Sequence, residues 1–233
     1  MKKNYSYIGI AFIILIFGII FIPRIVNAVK EDAIIEKDRM NIEGKERNRK
    51  LLYLEINEKA RMVPEFIFTN QDSLEITNAD FKGKVTVMEF FFTSCPTICP
   101  VMNSNMRTLD EEFHKRDDFA IASFSIDPKN DTPKVLKEYA ERYGVKSMNW
   151  HFLTGDLDKI HELSNTGFNI FTGINPEVAG GFEHQGYFAL IDKEGFIRSR
   201  RDNHGNPKIY YQGTDVDEVE MLKEDIKNLL EEE

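Results

Sequence analysis

Three observations in this 233-residue sequence predict an α/β domain behind an N-terminal transmembrane helix. Segments of strand character alternate with segments of helical spacing along most of the chain. The only two cysteines, Cys95 and Cys99, fall where one of those strands turns into a helix. Residues 4–23 carry no charge and follow Lys2-Lys3.

The uncharged run is long enough to cross a bilayer core, since about twenty helical residues span ~30 Å. Lysines before it place the amino end in the cytoplasm and the remainder outside. A cleaved signal peptide is the rival, but the run is long for one and no small-x-small site follows. No cysteine follows either, which excludes a lipoprotein anchor. The amino end lacks the Arg- and Ser-rich character of a mitochondrial transit peptide. The expected location is therefore a bacterial cytoplasmic membrane, crossed once, with the domain on the periplasmic or extracytoplasmic side. Residues 1–28 are read as the cytoplasmic tip and anchor, and the charge-dense residues 29–62 as a helical or partly mobile stalk. The domain is read over 63–233.

Within it, Glu65-Phe66-Ile67-Phe68 and Ser73-Leu74-Glu75-Ile76-Thr77 predict a hairpin around Asn70-Gln71-Asp72. Residues 85–92, β-branched and aromatic, read as a buried strand. Residues 101–109 have apolar side chains at helical spacing. A second buried strand spans 119–126. Thr132 is placed to cap a helix whose first residue is Pro133 and which stops at Gly144. A short strand at 150–154 precedes a helix that starts near Asp156 and ends near Gly167. Residues 171–186, rich in Gly, Pro and Asn, read as a long loop. A hairpin crosses Lys193-Glu194-Gly195, and a last helix follows Asp215, with Val216, Val219, Leu222, Ile226, Leu229 and Leu230 on one face and Asp215 with Glu218 as a capping box. Residues 202–215 show no assignable motif. This order, with the cysteine turn after the first central strand, is a thioredoxin-like plan with added β-hairpins.

Composition narrows the function. The formal charge is −9, and residues 215–233 hold nine acidic and two basic side chains, which argues against nucleic-acid binding. Two cysteines are too few for a disulfide framework. A close pair near a helix N-terminus, where thiolate is favoured, suggests a working site. Thiolate is both the nucleophile of disulfide exchange and a ligand for soft metals. A lone structural disulfide or two inert thiols is the plainer alternative.

The chain closely resembles the Sco/SenC family of copper-binding, membrane-anchored thioredoxin-like proteins. The likeness rests on Phe91-Phe92-Thr93-Ser94-Cys95-Pro96-Thr97-Ile98-Cys99-Pro100, on Ser125-Ile126-Asp127-Pro128 with Asp131-Thr132-Pro133, on Trp150-His151-Phe152-Leu153-Thr154-Gly155, and on His184. It covers about residues 63–230. What it implies is a copper site of Cys95, Cys99 and His184 in a metallochaperone that helps build the dinuclear copper centre of a respiratory cytochrome c oxidase. Implied partners are the oxidase copper-site subunit, other copper chaperones and thiol reductants. The donor types agree, since thiolates select Cu(I) and an imidazole also suits Cu(II). A closed zinc site would want a fourth ligand, from His151 or His204. The second reading is a thiol–disulfide oxidoreductase in which Cys95 attacks and Cys99 resolves. A thiol peroxidase and a redox or copper sensor fit less well.

The other candidates read as structural. Asp127 and Asp131 occupy turn and cap positions near the site. His114 and His161 are expected in solvent, His151 in packing and His204 in a turn. The dispersed methionines belong to the core.

Overall fold

The structure, a computed structural model, describes residues 51–56, 59–202 and 206–232, together with Phe17, Phe21 and Ile22. The chain divides into two compact units, Met1–Arg49 and Lys50–Glu233. In the first, Phe17, Phe21 and Ile22 are helical. The rest of the uncharged run lies outside the described residues, as do most of the stalk and His204. Among the described residues no helix is long and apolar enough to cross a membrane.

The second unit is built on one mixed sheet. Its strands are β1 (Leu52–Tyr53), β4 (Ile67–Asn70), β5 (Glu75–Thr77), β6 (Val85–Phe91), β7 (Phe119–Ser125), β8 (Trp150–Thr154), β11 (Tyr187–Ile191) and β12 (Ile197–Arg201), in the order β1-β12-β11-β6-β7-β8-β4-β5. Between β1 and β4 lies a small hairpin, β2 (Glu55–Ile56) with β3 (Lys59–Ala60). Strands β6, β7 and β8 run parallel and are joined through α1 (Cys99–Phe113) and α2 (Pro133–Tyr143); the remaining pairs are antiparallel. Right-handed crossovers put both helices on one face. Alternation along β6 confirms it: Phe91 meets Tyr139 of α2, while Phe90 meets Phe168 on the opposite face. Phe168 ends a π-helical turn, Leu163–Phe168, that continues α3 (Leu157–Glu162). The closing helix α4 (Val216–Glu231) packs against α1 and β6.

All seven residues of β6 and all seven of β7 are buried, as expected of central strands covered on both faces. The predicted caps form. Thr132 accepts from the Val135 amide, and Gly144 closes α2 in the left-handed conformation (φ 65°). At α4, Asp215 accepts from Asp217 and Glu218, but the capping box does not close, because Glu218 turns away to the Gln212 amide at 2.6 Å. Val216, expected on the apolar face, is exposed.

Three segments differ from the reading above. The compact unit begins at Lys50, because Leu52 and Tyr53, read as stalk, pair with Ser199 and Arg198 of β12. Arg198 fixes that entry: its guanidinium lies over the Tyr53 ring at 4.2 Å, donates to the Leu51 carbonyl and pairs with Asp192 at 2.9 Å. Residues 202–215 supply β13 (Pro207–Lys208) and β14 (Tyr211–Gln212), which add to β12 and β11. The stretch read as a long loop contains a separate two-stranded sheet, β9 (Thr172–Ile174) with β10 (Phe182–His184).

Candidate metal centre

The cysteine turn follows from β6. Strand pairing ends at Phe91, and the chain must turn over the carboxyl ends of parallel strands, where open α/β sheets place their sites. Asp131 holds the turn. Buried at the start of the segment leading to α2, its carboxylate accepts from the Thr93 amide at 3.0 Å, from the Thr93 hydroxyl and from Ser125 Oγ at 2.5 Å. Burial pushes its carboxyl above the ordinary range, and the three donors oppose that. Asp127 accepts from Asn130 at 2.7 Å and shapes the same loop. Both aspartates thus have the structural role expected of them.

Cys99 is the first residue of α1, with Pro100 behind it and Ile98 as a cap that makes no side-chain bond. Asn103, one turn on, donates to the Cys99 carbonyl at 3.0 Å. Cys95 and Cys99 are both free and buried. Their sulfurs face one another. The neighbouring Cys99 side chain holds Cys95 below the usual thiol range; burial opposes this, while His184, Thr97 and the Cys99 amide favour the thiolate. Cys99 is pushed the other way, first by Cys95 and then by burial, with the charge of Glu89 adding to it. The two sulfurs thus differ in acidity, with thiolate favoured at Cys95, near the positive end of a helix.

His184 arrives from β10. Its Nε2 lies 3.1 Å from Cys99 Sγ, and one ligand atom each from Cys95, Cys99 and His184 lie within 4.8 Å of one another. The ring packs edge-on against Phe92 at 5.8 Å. Its Nδ1 is buried without a partner, so the Cys99 contact at Nε2 and packing on Phe92 set the ring's orientation. The hairpin is tied at its base, where Asn165 bonds both the amide and the carbonyl of Thr172 at 3.0 Å and Gln185 bonds the Phe171 amide at 2.9 Å. At its tip Gly180 has φ 92°, and a Cβ there would stand 2.8 Å from the Phe92 ring and 3.3 Å from Pro96. Only glycine meets both demands.

The three residues fit a soft cation. Two sulfurs and an imidazole nitrogen converge, thiolate is favoured at Cys95, and the inward nitrogen bonds only Cys99, itself one of the three donors. Among the described residues no other group of this kind occurs. The zinc alternative lacks its fourth ligand there: His151 bonds Asn70 at 3.2 Å and packs on Phe81 instead. His161 lies on α3, and His114 bonds carbonyls of its own helix at the end of α1.

One residue near the site was missed. Glu89, in the middle of β6, is fully buried and takes a bond from Ser123 Oγ at 2.7 Å. The signal was a lone acid inside an apolar strand.

The comparisons agree with this geometry. The SCO1/SenC family model matches residues 55–215. The chain is 35% identical over 165 residues to the SCO1 protein homolog of Bacillus subtilis, covering 69% of this chain and 84% of that protein. It superposes on BsSco, described as a member of the Sco family of cytochrome c oxidase assembly proteins with a disulfide switch, at TM-score 0.61 and 30% identity, over 74% of this chain and 95% of that one. Copper-bound ScoI of Bradyrhizobium japonicum matches at TM-score 0.56 over 72% of this chain and 99% of that one; at 22% identity this shows the shared fold alone. With a matched region that spans β2 to β14, the cysteine turn and the His184 hairpin, the chain belongs to the SCO1/SenC family.

Proposed function

We propose that this protein is a membrane-anchored copper metallochaperone that holds copper through Cys95, Cys99 and His184 and serves the assembly of the dinuclear copper centre of a cytochrome c oxidase. The observation that carries the reading is the convergence of donors suited to copper: two sulfurs and an imidazole nitrogen within 4.8 Å of one another. Family membership and the oxidase-assembly description of BsSco support it. Copper here is cargo. Sulfurs fixed by the core would receive it, and a histidine on a separate hairpin would complete or release the site. The oxidase subunit that carries the copper centre is the proposed acceptor, with other copper chaperones and thiol reductants as further partners. Residues 1–28 would anchor the chain and place the domain outside the cytoplasmic membrane, with residues 29–49 as its connection.

A second activity has its own support in the low pKa of Cys95. The Cys95 thiolate would attack one sulfur of a target disulfide and expel the other as thiolate. Cys99 would then displace the target's remaining sulfur. Cys95 and Cys99 end as a disulfide and the target as a dithiol, ready for copper.

Metal analysis of the purified domain, wild type against His184→Ala, tests the first reading. Copper should be retained by the wild type and weakened in the variant; an unchanged copper content would leave the dithiol activity in its place. For the anchor, cell fractionation should find the full-length chain in the membrane pellet. A released chain lacking about the first 28 residues would identify a cleaved signal.

A further inference from the structure

Glu89 is the one fully buried acid of the sheet's central strand. The pairing of Glu89 with Ser123 of β7, and of Ser123 with Phe152 of β8, sets the three side by side. Phe152 contacts Tyr139, so this row lies on the face that α1 and α2 cover. Trp150 Nε1 donates to Ser123 Oγ at 3.0 Å, and Ser123 donates on to Glu89 Oε1. Glu89 Oε2 is buried and has no partner, as has Asn103 Oδ1, one helical turn beyond Cys99. A half-satisfied buried carboxyl is costly, and sites with such groups are often functional ones. The charge of Glu89 is felt at Cys99.

We propose that Glu89 is a positioning residue for the metal site, a buried carboxylate that acts through the Cys99 sulfur to favour the more highly charged copper ion. The inference rests on the copper reading above. Cu(II) with two thiolates and a neutral imidazole makes a neutral site; Cu(I) with the same ligands makes a site of charge −1. A further negative charge held in the low-dielectric layer between the sheet and α1, the helix that Cys99 begins, raises the cost of the anionic site over the neutral one. Ser123 fixes the carboxyl's position, so its field is aimed rather than averaged. Burial lifts the carboxyl to about 7, partly offset by the Ser123 bond, so the charge is present above neutrality and is removed by mild acid. The other ionisable groups facing this layer are Cys99 of α1, Asp131, raised by burial and bonded to Ser125 of β7, and, on α2, Tyr139, pushed far up by burial and by its neighbour Tyr143. On α4, Asp225 is engaged by Arg200 at 2.7 Å and Tyr211 at 2.6 Å.

The test is competitive titration of the purified domain with Cu(I) and with Cu(II), and the midpoint potential of the bound ion, from pH 6 to 8. Glu89→Gln should lower the Cu(II)-over-Cu(I) preference about tenfold at pH 8, a rise of about 59 mV for a one-electron couple. The difference should close towards pH 6, and Glu89→Asp should restore the wild-type direction. Wild type alone should show the potential falling as pH rises through about 7, and a potential flat across that range would overturn the inference even where the Gln variant does not fold. A purely structural Glu89 would change stability and leave the ratio and its pH profile untouched, which would overturn the inference. Failure of the wild type to bind either ion through Cys95 would instead remove the copper reading itself.

Discussion

The cysteine turn and the His184 hairpin supply one site by opposite means. Cys95 and Cys99 are 7% and 1% exposed, at the end of a strand buried along its whole length, with Asp131 clamping Thr93 two residues before Cys95. His184 belongs to a two-stranded sheet with no pairing to the main one; its tip rests on Phe92 and Pro96 through Gly180. The core therefore prebuilds the dithiol, while the third donor depends on how a small hairpin docks. A carrier that must bind and yield its cargo gains from this division, because one ligand can leave without disturbing the fold.

The largest expected effect falls on the prebuilt half. Cys95→Ser or Cys99→Ser should abolish both Cu(I) binding and disulfide formation, checked by Cu(I) competition and thiol quantitation. On the other half, His184→Ala should keep a reactive dithiol, weaken Cu(I) by on the order of tenfold, about 1.4 kcal/mol, and lose most Cu(II) binding. Equal losses from the two halves would erase the contrast.

Next come the supports. Asp131→Ala strands the Thr93 amide, its hydroxyl and Ser125 Oγ, and should cost about 3 kcal/mol in urea unfolding. Glu89 makes a similar contribution with a definite sign. Its carboxyl is raised in the folded state from 4.5 to about 7, so the folded protein binds the extra proton and stability falls as pH rises between those values. The loss should be about 3 kcal/mol and absent in Glu89→Gln. Asp131, also raised by burial, adds to the slope in wild type with the same sign. The smallest effect belongs to the hairpin: Gly180→Ala, at φ 92° and against Phe92, should cost about 1–2 kcal/mol and weaken Cu(II) while leaving Cu(I) nearly unchanged.

What was legible in the sequence follows the same division. Strands β6, β7 and β8 and helices α1, α2 and α4 announce themselves through long apolar runs, helical spacing and caps at Thr132 and Asp215. The strands β9 and β10 are three residues each, too short for alternation to show, and their Gly, Pro and Asn neighbours dominate the reading. Leu52 and Tyr53 join the sheet only through partners almost 150 residues away, which local pattern cannot reveal. His184 could be picked out by resemblance, yet its place on a tied strand rather than in a free loop came from Asn165 and Gln185, whose roles are tertiary. Glu89 stands out in the sequence only as a lone acid in an apolar strand; its burial against Ser123 is tertiary.

The central claim is that one copper ion is held by two sulfurs of the core and one nitrogen of the hairpin. X-ray absorption spectroscopy of the purified domain loaded with one equivalent of Cu(II) tests it most directly, alongside His184→Ala. The account predicts two sulfur scatterers and an imidazole in the wild type, with the imidazole signal lost in the variant. A spectrum with only one sulfur, or an imidazole signal that persists without His184, would contradict it.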